Sequence, residues 1–150
     1  MKDLFKLIES ADKELKENKN VQDGIIEKIK SEVNQKGYIG IAQINTRVGD
    51  FEYNSKKIAK YIKFAEKIGL DAVVFPELSL AGNPLEDIIS RHPILVDENL
   101  KWLNGLAKLS ESTIAYVGFI EPENVSDNKE YHSSIAILHK GKIQKVVRKS

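Results

Sequence analysis

Two residues combine a chemically useful side chain with a constrained position in the chain. Glu77 lies in Val73-Val-Phe-Pro-Glu-Leu78, directly after a β-branched and aromatic run that reads as a short buried strand over 71–75, ended by Pro76. A carboxylate just beyond the C-terminal end of a parallel strand occupies the region where open α/β sheets bind ligands. Pro76 stiffens that support. The apolar neighbours Phe75 and Leu78 are expected to raise the Glu77 pKa toward the working pH, as a general base requires. Lys149 follows a second strand, 143–148, and sits beside Arg148. An ammonium fixed beside a carboxylate can stabilise an oxyanion in acyl transfer and help lower a nucleophile's pKa. Taken singly, each residue also has an ordinary reading, as a loop glutamate and a solvated lysine.

The elements that must position this pair follow from periodicity. Residues 1–36 form a segment of their own, rich in Lys, Glu, Asp and Asn. Leu4, Leu7, Ile8, Ala11 and Leu15, then Ile25, Ile26, Ile29 and Val33, recur at helical spacing. A helical N-terminal extension is expected there, ending at Gly37. Residues 37–150 differ in texture. The run 38–44 reads as a buried strand and 45–50 as a loop. Ile58, Tyr61, Ile62, Ala65 and Ile68 place one helical stripe along 51–68, with Gly69 as the stop. Strand, helix and strand in this order predict a parallel βαβ unit. A second helix is expected over 94–110 and a third strand over 113–120. The polar stretch 121–130 reads as a loop, and strands 132–139 and 142–148 as a hairpin about Lys140-Gly141. The layout is a mixed α/β sheet covered by helices. The chain stops directly after a strand, which suggests a truncated product.

Composition narrows the function classes. Lys plus Arg number 23 against 22 Asp plus Glu, so no basic surplus points to nucleic acid or to an anionic membrane. No apolar run approaches the roughly 20 residues that cross a bilayer. The N-terminus is too acidic for a signal or transit peptide, and a cytoplasmic location is the default. Cysteine is absent, which removes disulfides, Cys-ligated metals and a cysteine nucleophile from these residues. His92, His132 and His139 show no ligand-like spacing, so no metal site is expected. Arg47, Asp50, Glu86 and Asp87 read as loop or helix-start charges, and His92 and Trp102 as packing residues.

Three segments in order carry a family likeness. Ile41-Ala-Gln-Ile-Asn-Thr-Arg-Val-Gly-Asp50, Val73-Val-Phe-Pro-Glu-Leu-Ser-Leu-Ala-Gly82 and the hairpin ending Val147-Arg-Lys149 resemble the nitrilase (carbon–nitrogen hydrolase) superfamily over 38–150. Within it, Ala-Gln-Ile-Asn with Val-Gly-Asp, and Gly82-Asn-Pro-Leu-Glu-Asp87, are most like the glutaminase domains of glutamine-dependent NAD synthetases. The resemblance implies the first portion of a four-layer αββα sandwich, preceded here by the helical extension. It implies amide hydrolysis through a Glu–Lys–Cys triad, with Glu77 as general base, Lys149 as oxyanion-stabilising lysine and the cysteine beyond Ser150. Glutamine would be the substrate, and its ammonia would serve ATP-dependent NAD synthesis. No cofactor is expected in this chain; ATP and Mg2+ belong to a synthetase domain outside it. Homo-oligomerisation is expected of the full-length protein. Another nitrilase-type amidase or carbamoylase, or a non-catalytic remnant acting as an interaction module, are the alternative readings. Asn83 stands where the family usually has Tyr, and His132 where it commonly has Asn. Without its nucleophile the chain alone is expected to be inactive, and its uncovered sheet to favour association.

Overall fold

The computed structural model describes residues 37–83, 94–125 and 128–149. The expected helical extension over 1–36, and Glu86, Asp87 and His92, lie outside the described residues. The described elements are β1 (Ile39–Ile41), α1 (Phe51–Ile68), β2 (Ala72–Val74), α2 (Ile94–Ala107), β3 (Ile114–Val125), β4 (Asn128–His139) and β5 (Lys142–Arg148). They build one five-stranded sheet in the order β1-β2-β3-β4-β5. The first three strands are parallel and the last two pairings antiparallel, so the sheet is mixed as its pattern predicts.

Helix α1 begins and ends where its chemistry dictates. The Asp50 side chain accepts the Tyr53 amide at 3.0 Å, capping the first turn. At the other end Gly69 adopts φ 76°, and the amides of Gly69 and Leu70 return to Glu66 and Ala65, a Schellman closure. From α1, Glu66 Oε1 accepts the amides of Glu111, Ser112 and Thr113 at 2.7–2.9 Å and so anchors the entry to β3. Helix α2 is three residues shorter than expected, because 108–110 tighten into i to i+3 bonds.

Strand β1 is shorter than its apolar run, since β2, the partner that must accept its ladder, is itself only three residues long. The larger correction concerns 121–130. These residues do not form a free loop. Strand β3 runs on through Val125 and β4 starts at Asn128, with Glu121 opposite His132 and Glu123 opposite Glu130. The extension is polar because it projects past the hydrophobic core, so no alternation of apolar residues marks it. The turn to β5 comes at Lys140 and Gly141, whose φ angles of 52° and 73° fit a two-residue type I′ hairpin.

Both helices pack on one face of the sheet. Ile58, Ile62 and Ala65 of α1 and Val96, Leu103 and Leu106 of α2 bury Val73, Ala115, Val117, Phe119, Ala136 and Leu138. Among the described residues the opposite face is covered only where the turn after β2 lies over Gly118. It carries exposed apolar positions: Ile39 and Ile41 are 68% and 79% exposed, and Ile135 and Val147 are 42% and 45% exposed. One helix layer and one sheet layer are therefore described. No described helix is long and apolar enough to cross a membrane.

Candidate active site at the end of the open sheet face

Glu77 and Lys149, 72 residues apart, meet at one end of the uncovered face. Lys149 Nζ lies 3.0 Å from Glu77 Oε1 and 3.3 Å from Oε2. Ser133 Oγ donates to the same Oε1 at 2.8 Å, and the Lys149 amide donates to the Ser133 carbonyl at 3.0 Å. The strand pleat explains the meeting. Ser133 shares the open face with Ile135, and Lys149 continues β5 on that same side beyond Val147.

A tight turn after β2 presents Glu77. The Ser79 amide bonds the Pro76 carbonyl and the Gly82 amide bonds that of Leu78, while Leu78 takes the left-handed φ of 49°. Such a backbone angle is uncommon for a leucine and is kept only where surroundings over-determine it. Two groups do so. Gly118 on β3 lies directly beneath the turn, and a Cβ there would stand 2.5 Å from the Pro76 oxygen and 2.6 Å from the Leu78 nitrogen. Asn54, fully buried on α1, donates to the carbonyls of Arg47 at 2.7 Å and Leu80 at 3.1 Å, and accepts the Arg47 amide at 2.8 Å. Neither residue stands out in the sequence. A glycine inside a strand pattern signals close backbone approach in general terms, but nothing told which segment approaches Gly118.

The electrostatics correct one expectation. Glu77 is held below the ordinary carboxylate range, chiefly by the Ser133 hydroxyl and then by the Lys149 ammonium. Burial, the effect expected to raise it, acts on it least. Phe75 points to the helix side, buried and edge-on to Tyr61, because strand alternation sends it opposite to Val74. The side chains of Glu77 and Lys149 remain 47% and 67% exposed.

The other candidate residues turn away from this pair. His132 sits on the helix-side face, opposite to Glu77, and contacts Glu123 at 3.0 Å. Asn83 is exposed just past the turn. Arg47 stacks on Tyr53 and pairs loosely with Asp50 at 3.7 Å. Trp102 packs partly buried against the core. Glu123, Glu130 and His132 bring one potential ligand atom each within 4.8 Å of one another, a grouping that histidine spacing did not anticipate. That cluster already holds a cation of the protein's own, the Arg148 guanidinium, at 2.6 Å from Glu123. An apolar cavity of about 170 Å3 lies between β1 and α1, lined by Gly40, Ala42, Tyr61, Phe64 and Val73 among others, and includes neither Glu77 nor Lys149.

Comparison with known proteins shows what the chain resembles. The carbon-nitrogen hydrolase family pattern matches residues 38–150. A glutamine-dependent NAD(+) synthetase of Thermotoga maritima is 38% identical over 113 residues, covering 74% of this chain and 19% of its own length. Among solved structures, a glutamine-dependent NAD(+) synthetase from Cytophaga hutchinsonii superposes with a TM-score of 0.65 at 20% identity, over 75% of this chain and 18% of that one. An amidase from Nesterenkonia sp. reaches 0.59 at 20% identity, over 74% of this chain and 41% of that one. These two share the fold. The chain spans about a fifth of the length of the curated synthetases it matches.

Proposed function

Since the chain belongs to the carbon–nitrogen hydrolase family, we propose that it supplies the base and the oxyanion lysine of a glutaminase that feeds ammonia to NAD synthesis. The observation that carries this reading is the contact of Lys149 Nζ with Glu77 Oε1 at 3.0 Å, made across 72 residues at the C-terminal edge of a parallel strand. The similarity to synthetases named as glutamine-dependent supports the choice of substrate.

The chemistry needs a thiol from outside these residues, because the chain has no cysteine. Glu77 takes the thiol proton as sulfur attacks the glutamine side-chain amide carbon. Lys149 donates to the oxygen that becomes negative, and the proton on Glu77 passes to the departing ammonia. Water, deprotonated by the same carboxylate, then cleaves the thioester and releases glutamate, and Glu77 returns the proton to the leaving thiolate. ATP and Mg2+ would be handled by a synthetase domain beyond this chain, and no step here runs through them. The chain alone hydrolyses no glutamine under this reading.

A chimera tests it. Residues 38–149 replace the matching segment of the Thermotoga maritima synthetase, and ammonia release from glutamine is measured. The chimera should hydrolyse glutamine, and Glu77→Gln should cut turnover by at least about 1,000-fold, as loss of a residue that acts within a unit does. Retained activity in the folded Glu77→Gln chimera would refute the assignment, as would glutamine hydrolysis by the 150-residue chain alone.

A further inference from the structure

Strand β5 carries different chemistry on its two sides. Val147, opposite Ile135, and Lys149 face the open side, while Arg148, opposite Ser134, faces the helix side. On that reverse side Arg148 Nε and Nη2 donate to the two oxygens of Glu121, each at 3.1 Å, and Nη1 donates to Glu123 at 2.6 Å. Both acceptors are held in turn: Ser134 Oγ donates to Glu121 at 2.7 Å, and His132 lies 3.0 Å from Glu123. The guanidinium therefore reaches from β5 over β4 to the polar extension of β3.

β5 is the last strand of the sheet and almost wholly exposed, and its regular pairing ends at Arg148. The end of an exposed edge strand with few ladder bonds is where local opening starts. Beyond Arg148, the one backbone bond to Ser133 is all that holds the Lys149 main chain to the sheet among the described residues. A planar guanidinium fork bonded to two carboxylates fixes orientation as well as position, which a point charge does not. We infer that Arg148 is a positioning residue for Lys149: its fork onto Glu121 and Glu123 locks the end of β5, so that the ammonium one residue later, on the opposite face, stays against Glu77. The polar reach of β3 and β4 past the core then has a purpose, as the platform on which the fork closes. This inference rests on the reading of Glu77 and Lys149 as a working pair.

The experiment follows the Glu77 side-chain carboxyl by residue-specific NMR titration in the 150-residue chain. Lys149→Met should move the Glu77 midpoint up, since it removes the partner ammonium. Arg148→Lys keeps the positive charge but lacks the fork, and should also move the midpoint up. The double variant Glu121→Ala/Glu123→Ala separates position from charge. Removing two negative charges favours the Glu77 carboxylate and by itself lowers the midpoint, whereas releasing the strand end raises it. An upward shift in both Arg148→Lys and the double variant is the expected result. An unchanged or lowered midpoint in them, with Lys149→Met shifted up, overturns the positioning role alone. An unmoved midpoint in Lys149→Met overturns the pair and the inference with it. Should the double variant fail to fold by its amide spectrum, Arg148→Lys decides.

Discussion

Gly118→Ala is the sharpest test of how the site is held. A Cβ at position 118 would lie 2.5 Å from the Pro76 carbonyl oxygen, whereas ordinary contact starts at 3.4 Å, so the turn must retreat by about 0.9 Å. The obstacles are all backbone atoms of the turn, from Pro76 to Leu78, and no flexible side chain can swing away. Transmitted in full, that retreat opens the Ser133–Glu77 and Lys149–Glu77 contacts from 2.8 and 3.0 Å to about 3.7 and 3.9 Å, beyond hydrogen-bonding distance. The packing strain should cost about 1–3 kcal/mol, offset by about 0.5–1 kcal/mol because alanine loses less backbone freedom than glycine in a strand. The net expectation is a destabilisation of up to about 2.5 kcal/mol by urea unfolding. With it should come an upward move of the Glu77 midpoint as both donors withdraw. Gly49→Ala is the control. Its φ of 74° strains an alanine, but nothing lies within 4 Å of the new Cβ, so stability should fall while the Glu77 titration stays put. Wild-type stability together with a wild-type Glu77 titration in Gly118→Ala would refute the view that β3 sets the turn's position.

Three further outcomes are expected. Asn54→Ala removes three hydrogen bonds from buried or partly buried backbone groups and should destabilise by about 2–4 kcal/mol in denaturant titrations; a loss under about 0.5 kcal/mol would mean that water replaces the amide at no cost. Because the folded Glu77 pKa lies below its ordinary 4.5, its contribution to stability is complete above that value and disappears as pH falls through the folded pKa. Acid titrations should therefore show a pH dependence below about 4.5 that Lys149→Met weakens, and identical acid limbs would contradict the pairing. Ile41→Lys, at the most exposed apolar position of the open face, should reduce self-association in sedimentation velocity, and a wild-type chain already monomeric at NMR concentrations would remove the premise.

The sequence shows most plainly what depends on local rules. Helix α1 matches its expected span because a capping aspartate, an apolar stripe and a stop glycine all act within a few residues of one another. The hairpin at Lys140-Gly141 is equally local. The candidate pair was legible too, through the family likeness, although only the fold could bring Glu77 to Lys149. What stayed hidden depends on partners remote in sequence. Glu121, Glu123 and Glu130 look like loop residues until each is paired across the β3–β4 ladder. Phe75 looked like a hydrophobic wall for Glu77, but the pleat turned it to the other side of the sheet. Gly118 and Asn54 act on backbone segments 42 and 26 residues away by sequence number at their farthest contacts, Pro76 and Leu80, where no short-range pattern reaches.

The depressed pKa of Glu77 bears on the proposed mechanism as well as on stability. A carboxylate held ionised by a hydroxyl and an ammonium is a poor base at rest, which works against proton abstraction from a thiol. The donor that causes part of the depression is, however, the one assigned to the oxyanion. As negative charge grows on the amide oxygen, Lys149 divides its attraction between that oxygen and Glu77, and the carboxylate regains proton affinity as it receives the thiol proton. Base strength then rises along the reaction coordinate rather than being fixed in the free site. Covering the open face would add desolvation, which raises the carboxylate further, while the low dielectric would also tighten the ion pair. Under the proposed mechanism the balance favours catalysis only if Lys149 can move from Glu77 to the oxyanion without swinging out to solvent, so where β5 ends would matter as much as the charge it carries.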